Sequence, residues 1–165
     1  MSAKDKKKKS AFLGADATIA LNKRARFEYE IMETLEVGIE LKGAEVKSMR
    51  LGKAVISDAF AEPRDEAIYI VNMTVEPYTA AVHYEAMDPK RPRKLLLHKK
   101  QIDKFRGLVT REGLTLVPLK AYFNGKGVAK IELALAKGKK SHDKREATKD
   151  REWSRDKARL MKENH

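Results

Sequence analysis

The fold is decided by the stretch Phe27-Glu-Tyr-Glu-Ile-Met-Glu-Thr-Leu-Glu-Val-Gly-Ile-Glu-Leu41. Apolar residues alternate with glutamate or glycine on both sides of one irregularity, and this period of two predicts a half-buried β-strand. The alternating apolar residues are Phe27, Tyr29 and Ile31, then Leu35, Val37, Ile39 and Leu41. Met32-Glu33 shifts the phase, which predicts a bulge or a sharp bend. A strand this long, bent midway, fits a small barrel better than a flat sheet.

The rest of the chain supplies shorter elements that complete such a sheet. Helical spacing of apolar residues predicts two helices, over residues 44–51 and 98–109. Alternation and turn residues predict further strands, over residues 55–61, 67–75, 114–123 and 128–136. Residues 78–94 are predicted to be a long loop, and Pro118 requires an edge or an irregular position in its strand. The predicted fold class is therefore mainly β: an OB-fold-like antiparallel β-barrel with two or three short helices and a basic C-terminal tail.

The charge of the chain points to a polyanionic partner. The 165 residues carry a formal net charge of +12, much of it at the two ends. Residues 1–10 contain five lysines, and residues 137–165 contain 11 Lys or Arg against 6 Asp or Glu. Nucleic acid is the leading candidate. An anionic membrane fits less well because neither basic arm has a bulky apolar face, and no apolar run is long enough for a bilayer span or a signal peptide.

Composition divides the chain into three parts. Residues 1–17 are predicted to be a basic disordered arm, residues 18–136 the OB-like β-barrel, and residues 137–165 a basic tail. Apolar content collapses after Ala136, so the tail alone cannot offset its ordering entropy. We therefore expect the tail to be disordered in the free protein and to become helical on a polyanion.

The sequence carries no pattern for catalysis or metal binding. It has no cysteine, and the four histidines, His83, His98, His142 and His165, form no metal-binding spacing. It also contains neither a phosphate-binding glycine loop nor a nucleophile elbow. We therefore predict no enzyme activity, no metal and no cofactor.

Four motifs in order go beyond composition. They are Leu21-Asn-Lys-Arg-Ala-Arg26, Gly43-Ala-Glu-Val-Lys-Ser-Met-Arg50, Arg93-Lys-Leu-Leu-Leu-His98, and Leu133-Ala-Leu-Ala-Lys-Gly-Lys-Lys140 followed by His142-Asp-Lys-Arg145. Each motif is modest alone, but the set is specific. With it the chain, from about Thr18 onward, closely resembles the small protein B family, the SsrA-binding (tmRNA-binding) proteins of bacteria.

This resemblance implies an OB-like barrel that binds RNA in trans-translation. The family binds the tRNA-like domain of tmRNA and stands in for the missing anticodon arm. It brings alanyl-tmRNA, with elongation factor Tu and GTP, to stalled ribosomes, and its tail occupies the 16S rRNA decoding site and the empty mRNA channel. The resemblance therefore implies a cytoplasmic monomer in a 1:1 complex with tmRNA, with no membrane partner.

The resemblance also implies site residues. The family's tmRNA contacts match Asn22, Lys23, Glu36, Leu96 and Lys130. Positive charge beside the motifs adds Arg24, Arg26, Arg93, Lys94, Lys137, Lys139 and Lys140. The tail residues expected at the ribosome are His142, Asp143, Lys144, Arg145, Trp153, Leu160 and Met161. Judged from the residues alone, Glu36 fits a solvent-facing strand position, Leu96 fits core packing equally well, and His142 fits a solvated tail.

Two other function classes stay open at this point. A ribosomal protein or a general RNA chaperone would bind RNA structurally, with no task in decoding. A small basic nuclease is the third alternative. The identity of the RNA that copurifies separates the first alternative from a tmRNA-binding protein, and incubation with labelled RNA and Mg²⁺ tests the nuclease.

Overall fold

The computed structural model describes residues 12–163, which form nine strands, four α-helices and a 3₁₀ turn at Tyr84–Ala86. The strands are β1 Thr18–Leu21, β2 Tyr29–Ile39, β3 Ala54–Val55, β4 Phe60–Arg64, β5 Ala67–Val71, β6 Thr74–Val75, β7 Arg93–Leu96, β8 Thr115–Phe123 and β9 Ala129–Gly138. The helices are α1 Ala25–Glu28, α2 Gly43–Arg50, α3 Lys99–Glu112 and α4 Ser141–Glu163. Among these helices none is both long and apolar enough to cross a membrane.

Seven of the strands form one antiparallel sheet, in the order β1-β8-β4-β5-β7-β2-β9. An additional β8–β9 pairing joins the far end of this order back to β8, so six strands form a closed ring. The two remaining strands, β3 and β6, pair with each other as a small separate sheet. The predicted mainly β, antiparallel architecture with several helices is confirmed.

The predicted irregularity at Met32-Glu33 is a register shift in β2. Pairing with β9 runs from Tyr29 to Ile31, slips, and resumes at Glu33. The slip matters because a one-residue shift turns side chains to the opposite face of a strand. Before it, Tyr29 and Ile31 pack in an outer apolar cluster under α1; after it, Val37 belongs to the main core. The strand itself begins at Tyr29, so the prediction that Phe27 belongs to it is wrong: Phe27 lies in α1.

The main core fills the closed sheet. Its largest fully buried apolar members are Phe123, Met49, Ile56, Ile68, Ile70, Met73, Leu95, Leu116, Ile131, Leu133 and Val75. Helix α3 contributes Ile102 and Phe105 to it, which confirms the predicted helix near residues 98–109. That helix ends at Gly113, whose φ of 65° is the left-handed conformation that glycine adopts without strain.

Two strand predictions and one loop prediction were too coarse. The prediction of single strands over residues 55–61 and 67–75 is wrong, because each is two strands, and the second is broken near Asn72 at a φ of 58°. The predicted loop over residues 78–94 ends early, since β7 starts at Arg93. Pro118 lies beside a register shift, as its irregular position required. Its strand β8 is nevertheless central, pairing with β1, β4 and β9.

The N-terminal arm is described only in part. Residues 1–11 lie outside the described residues. Further along, the Leu13 N–H donates to the Arg50 carbonyl at 2.5 Å, and the Leu13 side chain packs against the main core. The Arg50 guanidinium also donates to the Gly127 carbonyl at 3.1 Å. Leu13, which lies within the predicted disordered arm, therefore packs on the folded body.

The sheet is expected to fold without the tail. Deleting residues 140–165 should keep unfolding cooperative and change the free energy of unfolding by less than about 1 kcal/mol, because the described side chains after Thr148 are exposed. Thermal unfolding followed by circular dichroism measures this. Phe123→Ala, which empties a fully buried position, is the contrast and should cost about 3–5 kcal/mol. A broad, non-cooperative transition in the truncated chain would place the domain boundary elsewhere.

Candidate nucleic-acid interface

Five strands present alternating residues on a common outer face. One row, across β1, β8, β9 and β2, aligns Leu21, Lys120, Glu132 and Glu36. A second row, across β8, β9, β2 and β7, aligns Tyr122, Lys130, Gly38 and Leu96. The residues between them along the strands, such as Ala121 and Ile131, are buried in the main core. The sheet therefore carries a polar and charged outer face with exposed leucines at its edges.

Leu96 is a surface residue whose side chain lies in the space left open by a glycine of the neighbouring strand. Its side chain is 53% exposed, whereas that of Leu95 is 1% exposed. A Cβ on Gly38 would lie 3.2 Å from Leu96 Cδ1 and 3.3 Å from Leu96 Cβ, so the missing side chain gives Leu96 room to lie across β2. Of the two interpretations that the sequence left open, core packing is therefore wrong, and Leu96 is available to a ligand.

Glu36 projects from the same face and is held by a neighbour on β8. The Tyr122 hydroxyl donates a hydrogen bond to Glu36 Oε2. Burial, the bond to Glu36, and the charges of Glu36 and Glu132 raise the pKa of Tyr122, so the phenol stays protonated at neutral pH. A carboxylate offers about four acceptor positions, so Glu36 retains capacity for a base edge or a 2′-hydroxyl. Lys120 Nζ lies 4.9 Å from the Tyr122 ring centroid and adds a cation to this group.

A groove of about 480 Å³ brings four of the predicted RNA-binding residues together. They are Glu36, Lys94, Leu96 and Lys130, joined at the start of α3 by His98 and Gln101. The groove thus combines an apolar surface for an unstacked base, a carboxylate acceptor and lysines for phosphates. Sequence reasoning missed Lys120, Tyr122 and Glu132. The alternation of β8 and β9 would have placed all three on the outer face.

Asn22 is a positioning residue in this fold. It is 8% exposed; its Nδ2 donates to the Pro118 carbonyl at 3.0 Å, and its Oδ1 accepts from the Ala25 N–H at 3.2 Å. Both ends of the amide are therefore engaged, one with the irregular part of β8 and one with the first residue of α1. Asn22 therefore fixes the exposed Lys23-Arg24 turn and α1 on the sheet, and its expected RNA contact stays a prediction.

A second basic group surrounds α1, where β9 leads into the tail. The exposed residues of this group are Lys23, Arg24, Arg26, Lys137 and Lys140. Lys139 joins them, with its N–H donating to the Glu28 carbonyl at 3.0 Å and its Nζ to the Arg26 carbonyl at 3.1 Å. Six of the predicted basic residues thus lie at the junction of α1 and β9, where phosphates of one RNA strand would be neutralised together.

The prediction that Arg93 binds RNA is wrong. Arg93 is 0% exposed, and its Nε lies 2.5 Å from Glu45 Oε2. Its remaining donors go to backbone carbonyls, at 2.9 Å for Met73 and 3.2 Å for Pro89. The alternation of β7 turns Arg93 and Leu95 inward and Lys94 and Leu96 outward, so charge alone misplaced this residue.

The predicted ribosome-binding residues all lie in α4. Lys144 and Arg145 are beside Phe27 of α1. Trp153, Leu160 and Met161 are 71%, 60% and 64% exposed, so the described part of the tail buries little of its apolar surface. His142 and Asp143 lie in the first turn, but their side chains fall outside what the structure describes.

Comparison with known proteins gives one consistent family. The model of the family described as SmpB protein matches residues 19–163. The chain is 52% identical over 146 residues to an SsrA-binding protein of Sphingomonas elodea, covering 88% of this chain and 91% of that protein. It is 54% identical over 144 residues to an SsrA-binding protein of Rhodopseudomonas palustris strain BisB18, covering 87% and 91%. A solved structure described as "tmRNA-SmpB: a journey to the center of the bacterial ribosome" matches with a TM-score of 0.62 and 49% identity, covering 78% of this chain and 92% of that one.

Proposed function

This chain belongs to the SmpB protein family, and we propose that it binds tmRNA (SsrA RNA) and acts in trans-translation, the rescue of stalled ribosomes. The observation that carries the proposal is the groove in which Glu36, Leu96 and Lys130 meet. These residues lie on three different strands, at positions that the family resemblance alone had selected. The relatives are named for binding SsrA, and the groove gives that binding a physical basis.

The sheet face and the basic group around α1 form the binding surface for the tRNA-like domain. Lysines and arginines neutralise phosphates and fix the position of the RNA without reading its sequence. Leu96 and Glu36 supply the contacts that depend on RNA structure, through an unstacked base and a hydrogen-bonded edge or sugar hydroxyl. A folded RNA with exposed bases therefore binds more tightly than a uniform duplex of equal charge.

The tail engages the ribosome in a separate step. A decoding site without message and an empty mRNA channel form a narrow polyanionic groove, which suits an exposed basic helix with apolar residues at intervals. Here the tail occupies the space of the missing message, and the nascent chain is then tagged for degradation. Alanyl-tmRNA carries elongation factor Tu and GTP into the complex. The protein acts in the cytoplasm as a monomer, one per tmRNA, and performs no catalysis itself.

Leu96→Ala is expected to weaken tmRNA binding by about 1–2 kcal/mol, roughly five- to thirtyfold in Kd, because it removes most of the apolar surface that packs on an unstacked base. Filter binding or fluorescence anisotropy at a fixed salt concentration measures the effect. Val55→Ala is the matched control, because Val55 is also 53% exposed but lies on the separate small sheet. Equal affinities of the two variants for tmRNA would contradict the proposal that the groove binds tmRNA.

Lys130→Ala tests the phosphate contact in the same assay. It should reduce the slope of log Kd against log salt concentration by about 1.

Sequencing of the RNA that copurifies identifies the partner. One dominant RNA with a tRNA-like end supports tmRNA, a broad set of structured RNAs supports a chaperone, and ribosomal RNA alone supports a ribosomal protein. Cleavage of labelled RNA with Mg²⁺ would contradict the absence of catalysis.

A further inference from the structure

We infer that Gly38 is a positioning residue for tmRNA binding, because the side chain that it lacks leaves the space in which Leu96 lies across β2. The inference rests on the proposed function and deepens it, since it assigns to Gly38 the arrangement of the apolar surface in the groove. Gly38 is buried and does not contact the RNA itself. It acts through Leu96, whose exposed side packs on an unstacked base.

Gly38 lies in the middle of the groove. Strand register places it directly beside Lys130 of β9 on one side and beside Leu96 of β7 on the other. Glu36, two residues earlier on β2, is on the same face because side chains alternate along a strand. All four residues line the groove. The row therefore holds two proposed RNA contacts with a position between them that carries no side chain.

Leu96 occupies the space beside Gly38. A Cβ built on Gly38 would lie 3.2 Å from Leu96 Cδ1, 3.3 Å from Leu96 Cβ and 3.6 Å from Leu96 Cγ, and these are the three heavy atoms nearest to it. Nonbonded carbon atoms prefer separations of about 3.5–4.0 Å. Two of the three distances are shorter than this range, so Leu96 could not keep its position beside an alanine.

The backbone of β2 does not require a glycine at this point. The φ of Gly38 lies outside the left-handed region, whereas Gly52, Gly113 and Gly127 have positive φ. Glycine weakens the interior of a strand and often marks the close approach of another group. The group that approaches here is Leu96, a residue proposed to bind RNA. The glycine therefore serves the groove and not a turn.

A side chain at position 38 would turn Leu96 away from β2. Leu96 is 53% exposed, so its side chain has room to swing to another staggered conformation. The fold would tolerate this change, because the Leu96 side chain belongs to the surface and not to the core. The apolar surface offered to a base would change position, however, while Glu36 and Lys130 stay in place.

The tmRNA affinity of a Gly38→Ala variant tests the inference. We expect Kd to rise about three- to tenfold, because only the apolar contact is disturbed, and Gly38→Val should raise Kd further. The slope of log Kd against log salt concentration should stay unchanged, since the lysines that contact phosphates are kept. The midpoint of thermal unfolding should move by less than about 4 °C, which shows that the fold is intact.

Gly43→Ala is the matched control. A Cβ on Gly43, the first residue of α2, would meet no described heavy atom within 4 Å beyond its own helix and chain neighbours. The same change from glycine to alanine should therefore leave tmRNA affinity unchanged at this position.

A double-mutant cycle shows whether Gly38 acts through Leu96. Leu96→Ala removes the Cγ and Cδ1 atoms, so adding Gly38→Ala to this variant should weaken its binding by less than about twofold. Equal weakening with and without the Leu96 side chain would overturn the inference. So would unchanged affinity of both position 38 variants. If Leu96→Ala itself bound tmRNA as tightly as the unmodified protein, the proposed role of the groove would fail first, and the inference with it.

Discussion

Arg93→Ala is expected to lower the free energy of unfolding by about 3–5 kcal/mol, because it leaves a buried carboxylate short of its main partner. Glu45 is 2% exposed, and its Oε2 lies 2.5 Å from the Arg93 Nε. The variant would also remove the donor that lies 2.9 Å from the Met73 carbonyl, whereas the Pro89 carbonyl would keep the Val75 N–H at 2.9 Å. A buried acceptor that loses its donor adds a desolvation cost of its own. Denaturation by urea measures the loss.

An exposed ion pair on the same protein supplies the control. Lys104 Nζ lies 2.9 Å from Glu33 Oε2, with both side chains about half exposed. Lys104→Ala should cost less than about 1 kcal/mol, since water screens such a pair. Arg93→Lys should rescue little, because an ammonium cannot reproduce the fork of donors that reaches Glu45, Met73 and Pro89. A loss for Arg93→Ala no larger than that for Lys104→Ala would contradict the assigned role.

The same pair gives the prediction a pH dependence. Burial alone would raise the pKa of Glu45, but hydrogen bonds from the Lys42 N–H and Arg91, together with the charge and hydrogen bond of Arg93, bring it below its ordinary value. A lowered folded-state pKa means that the carboxylate contributes stability above the unfolded pKa of about 4.3. That contribution disappears as the pH falls through the folded pKa. Glu45→Gln should therefore be less stable at pH 7 but lose less further stability in acid.

Local patterns predicted the elements better than they predicted burial of charge. The bulge in β2 was readable because the phase shift at Met32-Glu33 lies within one strand. The burial of Arg93 was not readable, since its partner Glu45 lies 48 residues away and a run of basic residues precedes it. The structural bonds of Asn22 could not be predicted for the same reason, since Pro118 lies 96 residues away. Long-range partners decide whether a polar residue serves structure or a ligand.

The groove shows what a family resemblance adds to physical reasoning. Alternation alone allowed Glu36 to be an ordinary solvent-facing residue and Leu96 to be a core residue. The resemblance selected both, and strand register brings them within one groove together with Lys130. Alternation along β8 could have placed Tyr122 on the outer face. Its hydrogen bond to Glu36, however, depends on β9 lying between β8 and β2. The pairing of strands that are distant in the sequence could not be predicted from this one sequence.

Replacing Asp143, Lys144 and Arg145 together by alanine should abolish most tagging of stalled chains and leave tmRNA affinity within a few fold. The residues proposed to bind RNA lie in the groove and in the basic group around α1, so we expect tmRNA binding not to need these three. The proposed step on the ribosome is different, because there α4 would bind along rRNA, and any ordering of the tail on binding costs about 2–5 kcal/mol that its own contacts must supply. Trp153, Leu160 and Met161 are too exposed in the described structure to have supplied it beforehand.

The matched control is a second triple variant with the same change in charge. Replacing Asp156, Lys157 and Arg159 by alanine removes one acidic and two basic side chains from the second half of α4, as the first variant does from its first turns. We expect the second variant to reduce tagging less, because the family motif lies in the first turns of α4. Tagging of a reporter chain and tmRNA affinity are measured separately for both variants. If the first variant lost affinity and tagging in equal proportion, the tail would be an RNA anchor, and the separation of the two steps would be wrong. A selective loss of tagging would support a step of the tail on the ribosome that is separate from tmRNA binding.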